Sequence, residues 1–344
     1  MRTYLPHRRC AQFAITVGLG LLGLPAFASI TFTCDPNIDM AVAGTCAALN
    51  GSTVAGLYGS AFSNANASIF IAYGATGLGA STQFYTTTTY SLYATALSTH
   101  EGDANDATAV NSLGGLAVNP VNPADGVATT SALDTALGLA PGFGIIEGAA
   151  SGNGMSCTPI GSANCYNGFI TVTSNTASLY YRGLGGNAGG FDFFSVVEHE
   201  VDEILGTSSC IVGVGTISAG CTNGGTGISP ADLFRYSGSG ARSDVNSANG
   251  SVAYFSINSG VTNIAGYNNA PNGADYGDWD STVFRIQNAF GTAGVLNTDI
   301  NNDGGSEIAV LDAVGYNLVP EPGTLGLMGA ACALLAACRF RRKA

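Results

Sequence analysis

The stretch Phe193 to Gly206, FFSVVEHEVDEILG, constrains this chain more than any other. Phe194, Val197, Val201, Ile204 and Leu205 recur at helical spacing, so they form one apolar stripe. At about 100° per residue, His199 and Glu203 stand one above the other on the face away from that stripe. Glu200 projects from the flank beside them. A helix that buries one side and raises a His and a Glu together on the other suits the wall of a cleft. In an H-E-x-x-H helix, two residues four apart bind a metal ion and the Glu activates water. Here the second histidine is Glu203, so the motif is H-E-x-x-E.

The two ends of the chain speak for export. Residues 1–28 carry Arg2, Arg8 and Arg9, an apolar run from Phe13 to Leu24, and Ala26-Phe27-Ala28. That order reads as a secretory signal peptide cleaved before Ser29. Residues 319–344 begin Val319-Pro320-Glu321-Pro322 and continue through an apolar run, Thr324 to Cys338, to Arg339, Arg341, Arg342 and Lys343. The run is short for a permanent transmembrane helix, and its basic end should stay cytoplasmic. This tail resembles the PEP-CTERM sorting signal. The resemblance implies an exosortase-type sorting enzyme as partner and transient residence in the inner membrane of a Gram-negative bacterium. The protein would then pass to the cell surface or the medium.

Between the ends, residues 29–318 form one expected domain. From Ser29 to Val319 the chain holds four Arg and no Lys against 22 Asp and Glu, a net charge of −18. Such a surface repels nucleic acid and attracts cations, so nucleic-acid binding is set aside. Six cysteines fall in three short-range couples, Cys34 with Cys46, Cys157 with Cys165, and Cys210 with Cys221. An even count in an exported protein reads as disulfides. Local pairing is favoured because each couple brackets a loop rich in Gly, Asn, Ser or Pro, with other connectivities left open.

Ser68–Tyr73, Gln83–Tyr90, Gly168–Thr173, Ser178–Arg182 and Val252–Ile257 read as strands. Leu92–Leu113 reads as a helix broken near Gly102, and Ser131–Leu139 as a short helix ended by Pro141-Gly142. Ser229 and Pro230 open a further helix, and Gly305–Leu318 is a last amphipathic helix capped by Ser306.

Glu198–Gly206, Ser229–Ser237 (SPADLFRYS), Gly277-Asp278-Trp279 and Ser306–Tyr316 follow one another in this order. Together they resemble a group of secreted, PEP-CTERM-tailed metalloproteases akin to metzincins of the leishmanolysin type. The resemblance implies an α+β, zincin-like domain with a central HExxE helix and a C-terminal helical subdomain. It further implies a hydrolase acting on a protein or peptide substrate. Carried over residue by residue, the metal ligands become His199, Glu203 and Asp278, with Glu200 as the catalytic base. Asp278 stands where the family has a third histidine. No Met occurs between Met155 and Met328 to make the family's Met-turn.

One His and two carboxylates can hold Zn²⁺ with a position open for water. The harder donor set also accommodates Mn²⁺ or Fe²⁺. Two carboxylates cancel the ion's charge, which makes bound water less acidic than in a His-rich site. Asp232 is the alternative third ligand, its plainer role being an ion pair with Arg235. Asp299, Asn301 and Asp303 match the first half of a calcium loop, D-x-N-x-D-G, although a turn explains the same residues and position 12 is Val310. The rival reading of the whole body is a non-catalytic surface or extracellular-matrix protein, in which Glu198, Glu200, Asp202 and Glu203 form a solvated acidic face.

Overall fold

The computed structural model describes residues 28–146, 155–211, 221, 227–243 and 252–319. The signal segment up to residue 27 and the apolar tail beyond 319 lie outside these residues, so the expected transmembrane run does too. The described chain is a mixed α+β fold with several small sheets. It opens with β1 (Ile30–Cys34), the short helices α1 (Pro36–Ala41), α2 (Thr45–Leu49) and α3 (Ala55–Ala61), then β2 (Ala67–Gly74) and β3 (Gly79–Gln83). There follow β4 (Tyr85–Thr88), α4 (Tyr90–Thr99), α5 (Ala104–Ser112), β5 (Gly126–Thr130) and α6 (Ser131–Ala136). A small sheet of β6 (Gly144–Ile146), β7 (Ser156–Cys157) and β8 (Cys165–Tyr166) precedes β9 (Gly168–Thr173). The long helix α7 (Phe193–Leu205) and the last helix α8 (Ser306–Val314) complete the frame.

The sheet that positions α7 has the order β1-β2-β9-β3. β1, β2 and β9 are parallel, with Ile30 opposite Ala67 and Phe70 opposite Phe169. β3 runs antiparallel along β9, with Ser81 opposite Ile170, and leaves its outer side unpaired by any described strand. β2 buries Ala67, Ile69 and Ile71 and leaves the alternate positions half-buried, as a period of two requires. In β9, five of six residues are buried, which suits a strand covered on both faces. Helix α7 lies across β3 and β9. Gly168 permits that approach, since a Cβ there would meet the Ile204 side chain at 2.6 Å.

α7 begins at Asp192, whose carboxylate accepts from the amides of Phe194 (3.0 Å) and Ser195 (3.2 Å). It stops at Gly206, which takes φ +119° and returns its N–H to the Asp202 and Glu203 carbonyls. The stripe Phe194, Val197, Val201, Ile204 and Leu205 is wholly buried. So, against the solvated-face reading, are the acids. Glu198 takes Arg182 Nη1 at 3.0 Å and the Ile300 amide at 3.0 Å, and Asp202 takes the Tyr58 hydroxyl at 2.6 Å. Arg182 also pairs with Asp192 at 2.8 Å and donates to Ser195 Oγ and the Thr298 carbonyl. The start of α7 is thereby clamped to the segment leading into α8.

The three disulfides join Cys34 to Cys46, Cys157 to Cys165 and Cys210 to Cys221, as the local couples suggest. Other expectations shift. Gln83–Tyr90 is not one strand: Gln83 ends β3, β4 pairs with β5 in another sheet, and Tyr90 already starts α4. Ser229 caps only a 3-10 turn, Ala231–Phe234, before the chain extends into a strand at Arg235–Gly238. Gly305, at φ +82°, and not Ser306, precedes the first residue of α8. Finally, residues 61–67 hold both ends of the body. Ser29 exchanges backbone hydrogen bonds with Ala65 and Ala67, while Asn317 accepts from Ser63 and Val319 donates to Ala61.

Candidate metal centre

His199, Glu200 and Glu203 face a cleft of about 630 Å³. Its walls are β3 with the turn before it, α7, the loop around Asp275 and Asp278, and the segment from Phe284 to Thr292. Asp278 arrives from 75 residues beyond Glu203, and its carboxylate Oδ1 lies 3.5 Å from His199 Nε2. Glu203 Oε1 lies 3.9 Å from the same nitrogen. One ligand atom from each of His199, Glu203 and Asp278 falls within 4.8 Å of the others.

Each side chain is held from behind. His199 Nδ1 lies 3.1 Å from the Ile286 carbonyl, to which it can only donate, and this turns Nε2 to the acids. Fixing the tautomer of a ligating His through its other nitrogen is usual in metal sites. Ser81 of β3 donates to Glu203 Oε2 at 2.5 Å, and Gln83 donates to the Glu203 carbonyl at 3.5 Å. Gln287 Nε2 donates to Asp278 Oδ1 at 3.2 Å. The loop that carries Asp278 is pinned in turn, because Trp279 Nε1 donates to Glu307 Oε1 at 2.7 Å and the Gln287 amide donates to the same oxygen at 3.0 Å. Gly79 makes room for Glu200. A Cβ there would overlap the Glu200 carboxylate and touch Val196 at 2.8 Å.

Titration reflects the crowding of these side chains. Burial drives the Glu200 carboxyl well above its ordinary range, and neighbouring Glu203 adds to it. Burial likewise lifts Asp278 to about 8, against the pull of His199 and with help from Glu203 and Asp275. Glu203 rises for the same first reason, opposed by His199. Burial alone would depress His199, but Asp278, Glu200 and Glu203 outweigh it and raise the ring to about 10. Glu200 and Glu203, one turn apart on the same helix, each make the other's charged form costlier. The pocket thus concentrates acidic oxygens around one imidazole and retains protons to balance them. A divalent cation can take the place of those protons. By donor type and spacing, the residues fit such an ion.

Other candidates sit elsewhere. Asp232 is buried and accepts from Ser209 Oγ (2.7 Å) and the Cys210 amide (2.9 Å), anchoring the Cys210–Cys221 loop. Asp299, Asn302 and Asp303 serve turn hydrogen bonds, including Asp299 Oδ1 to the Asn301 amide and Asp303 Oδ1 to the Gly305 amide. Ser81, Asp275 and Gln287 belong to the centre although nothing in their sequence context marks them. Only the cluster of carboxylates around Trp279 points toward Asp275.

Comparison with known proteins reaches only the tail. Residues 318–343 match the family described as PEP-CTERM protein-sorting motif. The chain therefore carries the signal for exosortase processing, which agrees with three disulfides in marking an exported, cell-surface protein. No curated protein, no solved structure and no metalloprotease family matches.

Proposed function

We propose that this exported protein is a zincin-like, metal-dependent endopeptidase whose centre is His199, Glu203 and Asp278. The observation that carries the reading is the convergence of His199 Nε2, Glu203 and Asp278, with Nε2 3.5 Å from Asp278 Oδ1, on the wall of an open cleft. Zn²⁺ is the ion best matched to this set, with Mn²⁺ or Fe²⁺ the alternatives. When bound it would polarise a carbonyl and acidify a water molecule. The remaining work falls to the chain. Glu200, beside the ligands, accepts the proton of the attacking water and passes it to the leaving amine. β3 presents an unpaired backbone edge along the cleft, to which an extended peptide can add as a further strand. The exposed rings of Phe284 and Phe290 line the same cleft and favour apolar side chains in the substrate.

The competing reading keeps the centre without chemistry, and one observation favours it: two of the three ligands are carboxylates, which weaken the acidity of bound water. Elemental analysis of the full chain beside His199→Ala tests the site first. About one transition-metal ion per chain, lost in the variant, is expected. A peptide-library digest with wild type and Glu200→Gln then tests the chemistry. Hydrolysis that survives Glu200→Gln undiminished would rule out the mechanism. Metal binding without hydrolysis would favour the non-catalytic reading.

A further inference from the structure

A second group of acids gathers far from His199 in sequence, where α5 packs on α8. Asp103 caps α5, Asp106 is its third residue, and Asp312 lies near the end of α8. One carboxylate oxygen from each falls within 4.8 Å of the other two. Asp106 and Asp312 are buried, at 5% and 2% exposure, while Asp103 reaches solvent.

Part of this geometry is ordinary capping. Asp103 Oδ1 accepts from the amides of Asn105 and Asp106, and Asp106 Oδ2 accepts from those of Gly102 and Asp103. Capping leaves Asp312 unexplained. Its Oδ1 is buried without a hydrogen-bond partner, and an orphaned carboxylate oxygen in such a place is costly. Its near neighbour at hydrogen-bond range, Asp106, is another acid, so the pair is satisfied only by a shared proton or by a cation. No described ion pair reaches any of the three. Nor is an arginine given over to them. Arg182 is committed to Asp192 and Glu198, Arg235 to Asn269 and the Tyr276 carbonyl, Arg242 to the Ser112 carbonyl and Arg285 to that of Ile264. The body has no lysine.

We propose that Asp103, Asp106 and Asp312 form a calcium site that staples α5 to α8. The donors are all oxygen, with no imidazole or thiolate, which selects a hard cation. Three carboxylates from two helices leave several positions for water, and Ca²⁺ tolerates such irregular shells better than Mg²⁺. The site also bears on the cleft, because α8 carries Glu307, which braces Trp279 beside Asp278.

The test is calorimetric titration of the full chain with CaCl₂, for wild type, Asp312→Asn, Asp103→Asn and His199→Ala. Asn is as good an N-cap as Asp, so Asp103→Asn keeps α5 and removes only charge. It decides the matter if Asp312→Asn does not fold. Wild type and His199→Ala are expected to bind one Ca²⁺ with Kd on the order of 10⁻⁴–10⁻³ M, as extracellular calcium modules do. Each Asp variant should weaken binding by about tenfold or more, a step of roughly 1.4 kcal/mol. Absence of calcium binding to wild type would overturn the proposal and leave a proton shared between Asp106 and Asp312. Equal binding in both Asp variants, or loss in His199→Ala, would also overturn it by moving the ion elsewhere.

Discussion

Trp279 Nε1 donates to Glu307 Oε1 at 2.7 Å, and this contact joins the last helix to the loop that delivers Asp278. Glu307 is fully buried, and it also accepts the Gln287 amide and the Ser306 hydroxyl. The proposed third ligand therefore depends on a helix that does not line the cleft. Glu307→Ala would orphan the indole N–H and the Gln287 amide together. We expect a loss of about 2–4 kcal/mol in denaturant unfolding, accompanied by weaker metal retention.

Gln287 offers a milder probe of the same loop. Its side chain touches the centre only through Asp278 Oδ1, so Gln287→Ala should leave the fold in place and loosen the carboxylate. Metal affinity, read by competition with a chelator, should fall about 10–100-fold. Unchanged affinity would mean that Asp278 does not bind the ion.

Gly79 tests the register between β3 and α7. Gly79→Ala places a methyl group where the Glu200 carboxylate lies. Overpacking of this kind costs about 1–3 kcal/mol. Because Glu200 is the displaced group, peptide hydrolysis should drop further than metal content does. Equal losses in both would indicate general damage.

Arg182→Met removes the cation from between Asp192 and Glu198, whose side chains are 1% and 0% exposed. Breaking a buried ion pair from one side costs about 3–5 kcal/mol. Chemical denaturation near neutral pH should register that loss. As pH falls and Glu198, already raised by burial, takes up a proton, the gap to wild type should narrow.

Asp134 supplies a pH signature independent of any metal. Burial lifts its carboxyl to about 6, opposed by the Thr129 hydroxyl and the Gly142 amide. The folded chain thus keeps a proton that the unfolded chain releases, so this group's stabilising effect is present below about pH 4 and is lost as pH rises through 6. Thermal unfolding of Asp134→Asn should lack that decline. Relative to wild type, the variant should gain on the order of 1–3 kcal/mol between pH 4 and 7.

Helix α7 is legible in the sequence because its signals agree: a stripe of period 3.6, Asp192 before it and Gly206 after it. The pairing of cysteines is legible because each loop is short. α1 to α3 escape notice, since five to seven residues rich in Ala and Gly are too few to show a period. The division of Gln83–Tyr90 between two sheets and a helix is hidden for another reason. Four threonines in a row favour a strand but say nothing about its partner. Within the centre, His199 and Glu203 announce themselves by their spacing. Ser81 and Gln287 reach it only through tertiary approach, and no local pattern encodes that.

The backbone bonds of residues 61–67 carry a consequence for topology during export. The strand that enters the fold at Ser29 and the chain that leaves it at Val319 are moored to one short stretch, so entry and exit share a single pole. A body suspended from the membrane by its tail would keep its leading end at that same surface. Processing at the sorting motif would then leave every described core strand undisturbed.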